Sequence, residues 1–460
     1  MNEKPIERKQ QNDSKKKPVV VRVGMSPVEG NKNIGAIRSH LYNYSLAQSE
    51  KQKGFEGKVI FRVDDTNAEK HKKEKEKALE LLHFFSDVLD FEFDITPENS
   101  QETIGQSVYQ SERQAIYSKY VEELFDKKIA FVDKDSGLVL FDIKRFIDEY
   151  SDTLEFDDVL RGRILVDLEK RLKNSQNYFP LMRSDRSALY HLATVVDDAA
   201  FGVTHVVRGQ DKIPIVDFQE MVRIALGFEP KKYLHTPLLL DEYGKMLGGA
   251  SNFDDFIRKG ILPQALVSYL ISSGYGRSNV VYPSILQFLE TFDMHKIHRA
   301  NGKFDPKKLA SLNKKLIKTI TPDIYLSSVE LYLAKNNEDA LVQSLKSDEA
   351  LQKLLISLRR EPEEAVRMIQ SILFPDFEKP DDDVRNALPS ILREMGAHPD
   401  TFPSYDVLGS KKDTFFKAIS WLLVGKQIFP DINTVYAYLK SRQMLQDRLK
   451  VAENTLTIRS

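Results

Sequence analysis

Apolar positions recur with two alternating periods along the first part of the chain and with a single period along the last. Val19, Val20, Val21 and Val23 make an apolar run, the pattern of a parallel strand covered by helices on both faces; Arg22 interrupts it near the carboxyl end. Pro27 and Gly30 break the strand, and from Asn33 the positions Ile34, Ile37, Leu41 and Tyr44 fall at helical spacing. A second strand is predicted over residues 58–63. It leads into a helix with Ala78, Leu81, Leu82, Phe85, Val88 and Leu89 on one stripe, opened by a capping box of Thr66 and Glu69. Strand, helix, strand and helix in this order predict a wound parallel sheet.

A further helix follows Gln110, with Ser111 and Gln114 as capping box and Ile116, Tyr120 and Leu124 as its buried row. Residues from roughly 100 to 188 lose periodicity, which predicts an insertion between two halves of the sheet. The sheet resumes over residues 187–209, where two β-rich runs flank a turn at Asp197 and Asp198, and 203–207 read as a buried strand ending in Arg208. Next comes a helix over 213–226 with Phe218, Met221, Val222 and Ala225 inward and Gly227 as its C-cap. Residues 234–240 form a short strand running into a turn at 241–244. Two helices separated by Gly260 and Pro263 follow, and from about Leu316 onward every periodic segment is helical.

Composition bounds the class. With 460 residues and 41% hydrophobic content the chain has material for roughly two to four domains with sizeable cores. No apolar run is long enough to span a membrane and no apolar segment marks a secretory signal, so a soluble protein is expected. The absence of cysteine excludes disulfides and cysteine-held zinc, and fits a cytoplasmic setting. A net charge of -1 from 67 basic and 68 acidic residues gives no overall pull towards nucleic acid, so any such binding needs a local patch. Residues 1–18 form a basic, almost apolar-free stretch expected to be a disordered tail.

Chemistry enters at the ends of the predicted strands. A helix N-terminus with Gly35 in its first turn favours an anion, although an ordinary turn between strand and helix has the same pattern. Arg22 and Arg208 both stand near carboxyl strand ends, where open α/β sheets bind ligands. Two guanidiniums converging there can clamp a carboxylate; each can also serve as a strand-end salt bridge. His191 reads as a packed histidine, since nothing sits at metal-ligand spacing, and His295 and His298 beside Lys296 read as an exposed face. Arg161-Gly162-Arg163 and, near the C-terminus, Arg442, Arg448 and Lys450 are candidate phosphate contacts, with a solvated surface as the alternative.

These residues and their order resemble class I aminoacyl-tRNA synthetases, most closely the bacterial-type glutamyl-tRNA synthetases. The strand, the Ser-Pro turn at Ser26-Pro27, and Asn33-Ile34-Gly35-Ala36 stand where that family has its His-Ile-Gly signature, with Asn33 replacing the histidine after a turn one residue longer. Arg62-Val63-Asp64-Asp65-Thr66-Asn67 stands where the family ends its second strand, with Asp64 at the place of a glutamate that meets the substrate's amino group. Tyr190-His191-Leu192-Ala193 and Val207-Arg208-Gly209 match directly. Lys245-Met246-Leu247-Gly248-Gly249 occupies the second, lysine-rich signature, keeping Lys245 but placing Gly248 at the catalytic lysine.

The resemblance implies a Rossmann-type parallel-sheet catalytic domain in two halves (19–100 and 189–245). Between them lies an inserted acceptor-stem-binding domain (101–188), and after them a stem-contact region (246–320) and an α-helical anticodon-binding domain (321–460). It implies ATP binding through Ser26, Asn33, Gly35, Lys245 and Gly248, with Lys245 catalytic, Mg2+ arriving with the nucleotide, and no dedicated metal site. Arg22, Asp64, Tyr190, Thr194 and Arg208 would hold glutamate or a related acidic amino acid. The implied protein is a monomeric, cytoplasmic glutamate–tRNA ligase with tRNA as partner; the alternative is a catalytically degenerate relative that binds tRNA or an acidic amino acid without ligase chemistry.

Overall fold

The computed structural model describes residues 17–27, 32–66, 71–174, 176–247, 251–276, 280–398, 401–408, 412–427 and 431–458. The expected basic tail up to residue 16, Glu69 of the Thr66 capping box, and Gly248 with Gly249 lie outside them. The chain divides into two compact units, one formed by Met1–Phe253 and Val267–Asp305, the other by Asp254–Leu266 and Pro306–Ser460.

The first unit is α/β. Strand β1 (Val19–Met25) pairs in parallel with β2 (Gly57–Val63), in register from Val19↔Gly57 to Met25↔Val63. Outside β2, Phe61 N donates to Ile95 O at 2.9 Å and Val63 N to Val108 O at 3.0 Å, which protects that edge. A short antiparallel sheet orders β3 (Ala130–Val132), β4 (Val139–Asp142) and β7 (Tyr178–Met182) side by side. A hairpin of β5 (Thr153–Asp158) and β6 (Gly162–Asp167) joins the parallel pair β8 (His205–Gly209) and β9 (Lys232–Thr236) through Asp158↔Tyr233. Thr204 ties the two parallel pairs together: its N–H donates to Val20 O and its Oγ1 accepts from Val20 N, each at 2.9 Å. Finally β10 (Leu239–Leu240) pairs with β11 (Gly302–Lys303).

Helix α1 (Ile34–Gln52) connects β1 to β2 and is buried on nearly every side, Leu41, Tyr42, Asn43, Ser45 and Ala47 all being fully enclosed. The apolar row Ile34, Ile37, Leu41 and Tyr44 is therefore only part of its buried surface, since a helix inside a unit buries polar positions as well. The stripe expected over 78–89 forms α2 (His71–His83) followed by a π turn over Phe84–Val88, which puts Phe84 and Phe85 inward together.

Several expectations are corrected. The segment after Gln110 forms a 3-10 turn and then α3 (Gln114–Asp126), whose buried row is Tyr117, Val121 and Leu124, with Ile116 and Tyr120 only partly covered. No Ser111–Gln114 box forms, because the Ser111 hydroxyl donates to Asp65 at 2.7 Å and Gln114 Oε1 accepts from Ala188 N at 2.9 Å. Residues 100–188 are ordered rather than irregular; their strands are only three to six residues long, too short for a period to show. The first β-rich run after Ser187 is a helix, α4 (Tyr190–Ala200). Its residues Leu192 to Val196 are all buried, and a short apolar run enclosed on all sides reads the same for strand and helix.

Asp197 and Asp198 make no turn. They are buried in α4 and act as counterions. Asp198 Oδ1 takes Arg22 Nε at 3.1 Å and Arg62 Nη1 at 2.6 Å, while Asp197 takes Arg113 Nε at 2.7 Å and the Tyr117 and Gln110 side chains at 2.9 Å each. Burial pushes the Asp198 carboxyl up, but Arg22, Arg62 and Lys231 outweigh it and hold its pKa below the ordinary 3.8. Its stabilising contribution is therefore complete above the unfolded value and disappears as the pH falls through the lower folded value. Asp198→Ala leaves buried Arg22 without its carboxylate and Arg62 with Asp64 alone, and is expected to destabilise the unit by about 3–5 kcal/mol, read by denaturant unfolding at pH 7. A loss under about 1 kcal/mol would show that the arginines find other partners.

In the second unit every regular element among the described residues is helical, from Pro306–Thr319 to Leu445–Ile458. Thr321 caps the helix Pro322–Lys335, with Pro322 at its first position. Trp421, fully buried, donates its indole N–H to Glu378 O at 2.7 Å. Arg448 is a correction: it is buried and donates to Leu423 O at 2.9 Å and to Ile372 O, so it holds helix ends together instead of facing a phosphate. Arg442 pairs with Asp348 at 3.3 Å and Lys450 stays exposed.

Candidate functional site

A cleft of about 730 Å³ opens at the carboxyl ends of β1, β2 and β8, the position at which open parallel sheets take ligands. Ser26, Asn33, Gly35, Arg22, Asp64, Tyr190 and Arg208 all line it. Two expected members do not: Lys245 is exposed on the turn after β10, and Thr194 faces a separate small cavity beside Gln219 and Lys231.

Asn33 stands at the mouth of α1. Its Oδ1 accepts from Gly35 N at 2.9 Å and Ala36 N at 3.4 Å, satisfying two of the helix's terminal donors. Its Nδ2 donates to Leu247 O at 3.4 Å, which ties the first signature to the second. The turn carrying Lys245 is built by Asp241, whose Oδ1 takes the N–H groups of Tyr243 at 2.9 Å and Lys245 at 2.8 Å.

The deeper end is cationic. Arg208 is 8% exposed, and its Nη1 and Nη2 have no protein partner. Its Nε donates to His235 Nε2 at 3.3 Å, and His235 Nδ1 meets Asp158 Oδ2 at 2.7 Å. Burial lowers the His235 pKa; the hydrogen bond to Asp158 opposes that, and Arg208 adds to it. Arg22 reaches the cleft with its Nε already held by Asp198. Asp64 is pinned by Arg62, from Nε at 2.6 Å and Nη2 at 3.2 Å. A Cβ added at Gly24 would lie 2.8 Å from Asp64 Oδ2, so glycine at 24 is what lets this carboxylate fold back beside the strand end. Tyr190 opens α4, and His191 packs edge-on against Phe179 and Phe218, as a packed histidine should.

Sequence reasoning missed Arg38, His40 and the Asp158–His235 pair. Arg38 lines the cleft as a buried guanidinium donating to Pro237 O, with Nε and Nη1 lacking partners. His40 lies edge-on to Phe85, its pKa lowered to about 4 by burial and by Arg22. A polar residue inside an apolar run, such as His235 between Leu234 and Leu238, was the available signal.

Over residues 18–140 and 141–317 the chain matches the family described as tRNA synthetases class I (E and Q), catalytic domain. The chain belongs to that family. The glutamate–tRNA ligase of Finegoldia magna is 26% identical over 497 residues, covering 95% of this chain and 99% of that protein. The enzyme of the same name from Nitratidesulfovibrio vulgaris strain DP4 is 28% identical over 338 residues, covering 66% of this chain and 68% of its own. Among solved structures, the glutamate–tRNA synthetase of Elizabethkingia anophelis superposes with a TM-score of 0.68 at 18% identity, over 95% of this chain and 99% of that one, which establishes a shared fold.

Membership in a class I synthetase family implies use of ATP and binding of an amino acid and a tRNA. A cleft of this volume suits a nucleotide or an adenylate. Among the described residues no three or more His, Asp or Glu gather as a metal site, and no helix is long and apolar enough to cross a membrane.

Proposed function

We propose that this family member is a cytoplasmic glutamate–tRNA ligase that activates glutamate with ATP and Mg2+ and transfers it to tRNA. The observation that carries the reading is Arg208, a buried guanidinium with Nη1 and Nη2 unpaired on the wall of a strand-end cleft. Leaving both nitrogens without a partner is costly, and a carboxylate placed bidentately against them relieves that cost. Tyr190 and the remaining face of Arg22 flank the same wall, and Asp64 offers an anionic oxygen for the substrate's ammonium. ATP, when bound with Mg2+, supplies the leaving group. The protein's part is to fix the carboxylate, with Ser26 and the Gly35 turn receiving phosphates and Lys245 swinging in from its exposed turn. Thr194 would join the substrate contacts only through a shift of α4, and Gly248 would approach phosphate through its backbone.

In the same reading residues 101–188 bind the acceptor stem, 246–320 contact the stem, 321–460 read the anticodon, and the protein acts as a monomer. Arg163, exposed on β6 beside Glu155 at 3.5 Å and Asp157 at 3.8 Å, would exchange these surface ion pairs for RNA phosphate, whereas Arg161 donates to His235 O at 2.6 Å. A near-neutral chain must gather its cations locally, so tRNA affinity is expected to fall with salt with a slope of about -0.9 per phosphate contact in log K against log salt. A total slope steeper than about -4 in filter binding supports the assignment, and a flat profile counts against it.

One observation favours the non-catalytic alternative. Asn33 already occupies the N–H groups of Gly35 and Ala36 that a phosphate would use. The deciding experiment is glutamate-dependent exchange of pyrophosphate into ATP with tRNA present. Exchange above background establishes the ligase, and tRNA binding without exchange establishes the alternative.

A further inference from the structure

We propose that Asp158 and His235 are positioning residues for substrate binding, a buried relay that fixes the Arg208 guanidinium in the cleft wall through its Nε edge. The proposal rests on the reading of Arg208 as the carboxylate clamp. His235 is fully buried, and its imidazole lies parallel to the Tyr233 ring at 5.5 Å, so it cannot turn freely. The Arg208 Nε–H can only donate, and it points at His235 Nε2 from 3.3 Å. His235 Nε2 must therefore offer its lone pair, which puts the ring proton on Nδ1, and Nδ1–H donates to Asp158 Oδ2 at 2.7 Å.

Asp158 is itself fixed by the backbone. Its Oδ1 accepts from Leu160 N at 3.0 Å and Arg161 N at 2.9 Å, and its Oδ2 also accepts from His235 N at 3.1 Å. The chain of bonds thus runs from the tight turn between β5 and β6, through β9, to the end of β8. Each link determines the next: the turn orients the carboxylate, the carboxylate selects the tautomer, and the tautomer makes an acceptor for one edge of the guanidinium. With the Nε edge occupied and Tyr233 under its plane at 5.7 Å, the Arg208 guanidinium is held in one orientation. Such preorganisation acts on binding, because the ordering is complete before the ligand arrives.

The test uses the full-length protein, calorimetry with L-glutamate and separately with ATP, and side-chain 15N spectra of histidine-labelled protein. For His235→Ala, glutamate affinity is expected to fall about tenfold or more, the value of one such hydrogen bond plus a freed rotamer, with ATP affinity changed less than about twofold. His235→Gln, which can place an acceptor oxygen near the Nε2 position, should recover most of the loss. Asp158→Ala should reproduce His235→Ala and convert the residue 235 signal from the Nδ1–H to a mixed tautomer. Equal glutamate affinity in His235→Ala and wild type overturns the proposal, as does a parallel loss of ATP affinity, which would mark a general structural defect. If wild type binds no glutamate at all, the functional reading fails, and the tautomer still decides the relay: Nδ1–H in wild type upholds it and Nε2–H overturns it.

Discussion

Replacing Arg208 with alanine is expected to weaken L-glutamate binding by about a hundredfold or more while leaving ATP binding within about threefold. The magnitude follows from what the cleft offers. A carboxylate seated on Nη1 and Nη2 makes two charge-assisted hydrogen bonds, each worth about 1.5–3 kcal/mol in a desolvated site, and about 1.4 kcal/mol is a factor of ten. Arg22 cannot take over, because Asp198 holds its Nε and its position is fixed by the same buried network that holds Arg62. Arg208→Lys should recover little: a lysine places one point charge near the carboxylate, cannot form the fork, and brings no planar N–H edge to His235. The substitution leaves His235 Nε2 without its donor, which costs about 1–3 kcal/mol of stability, so a thermal melt should accompany the calorimetry. If Arg208→Ala binds glutamate as wild type does, the carboxylate lies elsewhere in the cleft, and Arg38, buried with two unpaired nitrogens, becomes the candidate.

Much of this site is legible in the sequence because strand ends are. The four valines before Met25 and the run ending at Arg208 mark strands by composition alone, and a ligand site at their carboxyl ends follows from how parallel sheets are wound. Partners across the fold are not legible. Arg22 reads as a free clamp until Asp198, 176 positions away, is seen to hold it, and Asp198 reads as a turn residue until Arg22 and Arg62 are seen to neutralise it. Helix α4 reads as a strand because burial on every side erases the solvent-facing positions that would reveal a period of 3.6. Arg448 shows the limit in the opposite direction. Its neighbours Lys450 and Arg442 are exposed cations, and nothing local distinguishes it, yet it is buried against two carbonyls.

The two altered signatures lead to the second large effect: Asn33→His combined with Gly248→Lys is expected to raise glutamate-dependent pyrophosphate exchange by at least about tenfold. Asn33 acts on the helix: its Oδ1 caps α1 through Gly35 and Ala36, and its Nδ2 reaches Leu247. Histidine at 33 gives up that cap, at a cost of about 1 kcal/mol, but frees the two N–H groups for phosphate and adds a donor of its own. Lysine at 248 restores a cation to a loop whose remaining lysine, Lys245, is exposed outside the cleft. A single donor placed where negative charge develops is typically worth about 3–4 kcal/mol of transition-state stabilisation, so tenfold claims less than half of it. The gain should appear in the rate at saturating ATP and leave glutamate affinity unchanged, because Arg208 and its relay are untouched. A double variant that folds, binds ATP and tRNA, and exchanges pyrophosphate no faster than wild type would mean that the signatures are not what limits turnover, and the tRNA-binding, non-catalytic reading would then be the better account of this chain.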